Sequence, residues 1–291
     1  MFEGFDGKTV SVSGAEIDLV MGGAGPPLLL LHGYPQTRAM WHKIAPRLAE
    51  DFTVVAADLR GYGGSSKPAS DATHAAYSKR AMARDQVEAM AALGFERFAV
   101  AGHDRGGRVT HRMALDHAER LSRAAVLDIA PTHKVFATTD KAMATAYYHW
   151  FFLIQPNGLP EHLIGKDPEH YLRHKLGHWG RDAGAFTPEA VEEYVRAFSD
   201  PATIHASCED YRAAASIDLE HDEADMATKI AAPLLVLWGA KGFVAKAYDV
   251  LEVWRERAAD VRGEPIDCGH FLPEEKPDET YAALRAFFAE A

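Results

Sequence analysis

Four segments of the chain are apolar at nearly every position: Leu28–Leu31, Phe52–Ala57, Phe98–Ala101 and Ala124–Ile129. A strand without polar alternation is buried on both faces, the pattern of a parallel sheet covered by helices on either side. Helical spacing fills the intervals at His42–Glu50, Lys79–Leu93 and Arg108–His117. A late pair of runs, Pro233–Trp238 and Val261–Ile266, brackets a further helix at Asp249–Ala259. Ahead of them all, Thr9–Val12 and Ile17–Val20 alternate and predict an antiparallel hairpin. The alternation of strand and helix predicts an α/β fold with a mostly parallel central sheet flanked by helices.

That alternation stops between Thr132 and Asp225. The stretch is rich in aromatic residues (Tyr147, Tyr148, Trp150, Phe151, Phe152, Tyr171, Trp179, Tyr194, Tyr211) and reads as helices without strands. A helical block interrupting an α/β core after a strand is most simply a cap over the site. The chain is therefore expected to divide into a core of residues 1–131 and 226–291 and a helical cap of residues 132–225.

Composition narrows the function. With 291 residues, 47% hydrophobic and 25% charged, the chain suits one good-sized globular unit. Acidic residues number 42 against 31 Lys plus Arg, a net charge of −11, and no basic stripe exists to hold a nucleic acid against that field. Cys208 and Cys268 form no Cys-x-x-Cys pair and read as reduced thiols. No apolar run approaches the roughly 20 residues that cross a bilayer. The first residues lack the basic start and apolar stretch of a signal peptide. A soluble, cytoplasmic protein is expected, with no membrane partner.

The strongest chemical signal is Gly102-His103-Asp104-Arg105-Gly106, between the run Phe98–Ala101 and a helix. It fits the glycine-flanked nucleophile elbow, with aspartate where serine usually stands. A carboxylate attacking an ester would give only a labile anhydride. It can instead displace a leaving group from saturated carbon, forming an alkyl ester of the enzyme that water must then cleave. The plain alternative is an Asp that caps the helix. The base candidate is His270, after the final strand, where this elbow fold places its histidine. Asp128, an acid at an apolar strand end, is the candidate to orient it, since the loop Trp238–Gly242 offers no acid before Asp249. The backbone N–H groups of Arg105 and of Tyr34, in His32-Gly33-Tyr34-Pro35, would form an oxyanion hole. Arg105 and Arg108 share a helix face beside Asp104 and suit a carboxylate, unless acids elsewhere in the protein occupy them.

These motifs, together with Asp58-Leu59-Arg60-Gly61-Tyr62-Gly63, Tyr148-His149-Trp150, Asp210-Tyr211-Arg212 and Gly269-His270-Phe271, resemble those of the fluoroacetate (haloacetate) dehalogenase family of α/β-hydrolases, almost from end to end. The resemblance implies an α/β-hydrolase fold with an inserted helical cap. It implies Asp104 as nucleophile, His270 as base, Asp128 as its partner, and Arg105 with Arg108 as carboxylate clamps. It also implies a halide pocket of His149, Trp150 and Tyr211, lined further by Trp179, and a homodimer. The partners would be a small haloacid and the halide ion, with no cofactor and no metal.

Other signals carry less. His170, His174 and His178 recur every four residues and could hold zinc, but read as a partly exposed helix face. Gly61–Lys67 lacks the ending of a phosphate loop and reads as a surface turn. Two rivals remain. An epoxide hydrolase would use the same Asp nucleophile with Tyr148 and Tyr211 as proton donors. A non-enzymatic binder of small acids would have no need for His270.

Overall fold

The computed structural model describes residues 1–182 and 184–290. Eight strands form one sheet in the order β1-β2-β4-β3-β5-β6-β7-β8. The hairpin is β1 (Asp6–Val12) and β2 (Ala15–Gly22), and β2 runs antiparallel to β4. The other strands, β3 (Pro27–Leu31), β4 (Thr53–Ala57), β5 (Phe98–His103), β6 (Leu121–Leu127), β7 (Leu234–Gly239) and β8 (Val261–Ile266), are mutually parallel. The apolar runs form the centre: Leu28 to Leu31 are buried, and so is every residue of β5. At the edge, β8 is half exposed and tolerates Pro265, which no central strand could.

From β3 the chain pairs first with β4 on one side, then with β5 on the other. The strand order reverses there, and a crevice opens beyond the carboxyl ends of β3 and β5. Tyr34 follows β3 and Asp104 follows β5, so the fold itself brings these two loops together.

Local differences from the expected elements have local causes. The stretch 42–50 is not one helix but a 3₁₀ turn at Arg38–Trp41 and a single α turn at Ala45–Leu48, with Pro46 in its first turn. Pro46 has no N–H to continue an earlier helix, so it can only begin one. The helix expected over 249–259 covers Val250–Arg255, capped by the Asp249 side chain on the Glu252 N–H. The helix after the elbow begins at Arg105, three residues earlier than its apolar pattern suggests. β6 ends at Leu127, so Asp128 lies just beyond the strand, with φ at +51°.

Between β6 and β7 the chain forms eight helices and, among the described residues, no strand. Three of them begin the same way. Asp167, Thr187 and Asp200 each cap a helix whose first residue is proline. Buried ion pairs fasten this insertion to the sheet side: Asp210 receives both Lys79 and Arg105. Cys208 and Cys268 are free and buried. Among the described residues no helix is long and apolar enough to cross a membrane.

Candidate active site

Asp104 sits at the elbow with φ +47° and ψ −112°, a backbone conformation that costs a non-glycine residue free energy and persists only where its surroundings enforce it. Three glycines supply that enforcement. A Cβ on Gly102 would lie 2.3 Å from the Gly106 carbonyl oxygen, and one on Gly106 would lie 2.5 Å from that of His32. A Cβ on Gly33 would meet the Asp104 Cβ at 2.4 Å. Gly33→Ala must therefore push the Asp104 side chain aside. Since misplacement by about 1 Å can cost about 100-fold in rate, that variant is expected to lose turnover on this scale while remaining folded, checked by steady-state kinetics beside a thermal melt.

The Asp104 carboxylate is hydrogen-bonded at one oxygen and turns the other toward the histidine. Oδ1 accepts the Tyr34 N–H at 2.9 Å, and Oδ2 faces His270 Nε2 at 3.9 Å. The Arg105 N–H is the first of its helix and has no preceding carbonyl to bond. Burial favours the neutral acid, but the surrounding positive groups, His270, Arg105 and Arg108 among them, outweigh it and hold Asp104 below the usual carboxylate range.

His270 Nδ1 donates to Asp128 Oδ2 at 2.6 Å, while Asp128 Oδ1 accepts the Gly239 N–H at 2.9 Å. The second bond anchors Asp128 to the end of β7, the loop that has no acid of its own. With its proton on Nδ1, the ring presents a bare Nε2 toward Asp104. Burial pulls the His270 pKa down, but the hydrogen bond and charge of Asp128, with Asp104 beyond, raise it above the ordinary histidine value.

The two arginines differ in a way that their spacing conceals. Arg105 is committed to Asp210, with Nε 2.9 Å from Oδ2 and Nη2 2.6 Å from Oδ1, and its guanidinium lies 4.2 Å from the Tyr211 ring centre. Only its Nη1 lacks a partner. Arg108 forms no ion pair among the described residues. Its Nη1 donates to the Ala130 carbonyl at 2.9 Å and to Thr132 Oγ1 at 3.0 Å, and its guanidinium lies 4.6 Å from the Trp150 ring centre. Burial and the like charge of Arg105 lower its pKa. The two arginines of the expected clamp therefore differ: the buried Asp210 takes most of Arg105, and Arg108 has no salt bridge among the described residues.

An aromatic wall faces Asp104. The His149 ring lies 4.6 Å from Trp179, 5.5 Å from Tyr211 and 6.3 Å from Tyr34, and Trp150 lies 6.1 Å from Tyr211. His149 Nδ1, Trp179 Nε1 and Tyr211 Oη are buried without a hydrogen-bond partner among the described residues. Burial and nearby cations push His149 well below its usual pKa, so its ring is neutral.

A cavity of about 70 Å³ lies between this wall and the catalytic candidates. Asp104, Asp128, His270, His149, Trp150 and Trp179, all named from the sequence, line it. Tyr34, Arg105, Arg108 and Tyr211 do not line it; each stands one contact behind a residue that does. The sequence reading missed Tyr147, Phe243 and Gly242, which close the cavity from the insertion and from the loop after β7. His178, set aside as part of a histidine face, stands at the wall as well, though its helix face is exposed. Among the described residues no group of three or more His, Cys, Asp or Glu side chains could hold a metal ion.

Residues 26–277 match the family model of the alpha/beta hydrolase fold. The chain belongs to the α/β-hydrolase family. Within it, a fluoroacetate dehalogenase from Burkholderia sp is 49% identical, covering 100% of this chain and 96% of that protein. A soluble epoxide hydrolase from Corynebacterium sp. (strain C12) is 36% identical, over 96% of this chain and 95% of its own length. A solved structure of an α/β hydrolase from Nostoc sp PCC 7120 superposes with a TM-score of 0.99 at 63% identity, covering all of both chains.

Proposed function

We propose that this hydrolase cleaves the carbon–halogen bond of small α-haloacids such as fluoroacetate and chloroacetate, giving the hydroxy acid and halide. The observation that carries this reading is the buried Arg108 guanidinium, which forms no salt bridge among the described residues and stands close enough to the ionised Asp104 to interact with it. A buried cation kept unpaired is costly unless an anionic ligand completes it. A cavity of about 70 Å³ admits only a small ligand, which suits a haloacetate. The similarity to the Burkholderia dehalogenase over the whole chain supports the same substrate class.

In this mechanism the substrate carboxylate points toward Arg108 and the free Nη1 of Arg105, which stand one contact behind the cavity wall and close on it as it binds. Asp104 Oδ2 attacks the halogen-bearing carbon, the carbon–halogen bond breaks, and the halide leaves with the bonding pair. His149, Trp150 and Tyr211, with Trp179 beside them, offer N–H and O–H groups to the departing ion, which fluoride needs most. Water then attacks Cγ of the Asp104 ester while His270 Nε2 takes its proton, and Asp128 holds the imidazolium. The oxyanion forms on Oδ1, where the Tyr34 N–H already binds, with the Arg105 N–H completing the hole. On collapse the His270 proton passes to the departing alkoxide oxygen, glycolate is released, and the Asp104 carboxylic acid left behind loses its proton to solvent. The helices of residues 132–225 act as the cap that keeps bulk water from this space.

The pH dependence follows from His270. Its pKa is raised above the ordinary value, and only its neutral form can accept a proton from water. Ester hydrolysis is therefore expected to fall as pH drops through an ionisation above 6.5 and to level off on the alkaline side, measurable as the acid limb of kcat.

Epoxide hydrolysis is the alternative that the Corynebacterium relative brings forward. It needs two phenols over the nucleophile. Tyr148 cannot be one, because it is 38% exposed and faces Lys175, although Tyr147 lines the cavity. Turnover of fluoroacetate and chloroacetate against styrene oxide decides between the two. Halide release with little diol supports dehalogenation, and the reverse overturns it.

A further inference from the structure

A carboxylate that the chemistry above does not use holds the histidine loop. Glu275 closes the one-turn helix Leu272–Glu275 and is buried. Its Oε2 accepts the N–H of Gly269 at 2.9 Å and that of Arg181 at 2.8 Å, and its Oε1 accepts the N–H of Phe271 at 3.0 Å. Gly269 and Phe271 flank His270. Arg181 belongs to the helical insertion, two residues beyond Trp179.

The polar backbone groups of His270 itself are also taken. Its N–H donates to the Trp179 carbonyl at 3.1 Å, and its carbonyl accepts His103 Nε2–H at 2.8 Å. Burial holds His103 to a pKa of about 3, so that donor stays a neutral ring. Glu275 forms no ion pair among the described residues, and its carboxylate accepts these three N–H groups. A carboxylate is the one side chain of this length that accepts at both oxygens. A glutamine would accept at one oxygen and turn an NH₂ toward an N–H.

We propose that Glu275 is a positioning residue for the second half-reaction, clamping the backbone on both sides of His270 and tying that loop to the insertion at Arg181. Displacement of halide draws on Asp104, the arginines and the halide donors, and needs no base. Hydrolysis needs His270 Nε2 aimed at a water over the ester carbonyl, and a loosened loop loses that aim. The proposal rests on the ester mechanism above and separates its two steps.

The test is rapid-quench kinetics of Glu275→Gln with chloroacetate, reading chloride, glycolate and the mass of the Asp104 peptide. The chloride burst is expected at the wild-type rate, with turnover down about 100-fold and the ester accumulating toward one per enzyme. If Glu275→Gln does not fold, Glu275→Asp, which keeps the charge but cannot reach all three N–H groups, carries the same reading. Wild-type partition between burst and turnover in a folded variant overturns the role. So does a burst slowed in parallel with turnover, the mark of general loosening. Wild-type turnover in the same experiment tests the underlying mechanism separately, and styrene oxide reads the same partition should the substrate be an epoxide.

Discussion

His270→Ala is expected to release one equivalent of halide and then stop, leaving the acid's carbon skeleton esterified to Asp104. The displacement step draws on Asp104, the arginines and the halide donors, all of which the substitution leaves in place, and Arg105 and Arg108 still favour the ionised Asp104. The hydrolytic step loses its base, because in the intact site Asp128 is bonded to Nδ1 of that ring and it is Nε2 that faces Asp104. Turnover should fall by about 10⁴-fold or more, while the burst survives. Mass spectrometry of the peptide carrying Asp104 should show the carboxymethyl adduct at near-stoichiometric level. Asp104→Ala should abolish the burst as well as turnover. A His270→Ala enzyme that releases no halide, or carries no adduct, would remove the covalent mechanism altogether.

The arginines should part company when each is replaced by methionine. Arg108→Met removes the free cation, and with it about two charge-assisted hydrogen bonds to the substrate carboxylate at about 2 kcal/mol each. The expected loss is about 1,000-fold in kcat/KM for haloacetates. Yet the protein should melt higher, because an uncompensated buried charge has gone. Arg105→Met should do the opposite to stability. It leaves Asp210 with Lys79 but without its bidentate partner, and breaking a buried pair costs about 3 kcal/mol or more. Calorimetry and kinetics on both variants check the crossing of signs. Equal loss of stability in the two would mean that Arg108 is neutralised within the protein.

Much of this site could be read in the residues themselves. The buried runs of β3 to β7 could only be parallel strands. The glycines around Asp104 mark an elbow because no other side chain fits between its turn and its helix. Asp128 was legible because the loop after β7 contains no competing acid, and the Gly239 N–H now explains how an acid on β6 serves a histidine after β8. The difference between Arg105 and Arg108 could not be read there. It depends on Asp210, 105 residues away, and on how the insertion packs back onto the sheet. The same is true of Tyr147 and Phe243, whose place at the cavity is set by helix packing rather than by spacing. Glu275 gave no signal at all, since its partners are backbone groups, which every sequence has in equal measure.

A chamber with room for one small acid also dictates an order of traffic. In the proposed mechanism a halide still resting against His149 and Trp150 would leave the incoming water no berth above the ester. Ion departure must therefore come first, and an excess of the released halide in solution should block the queue. The enzyme would then be throttled by its own waste at the hydrolytic stage, most strongly by whichever ion those donors grip best.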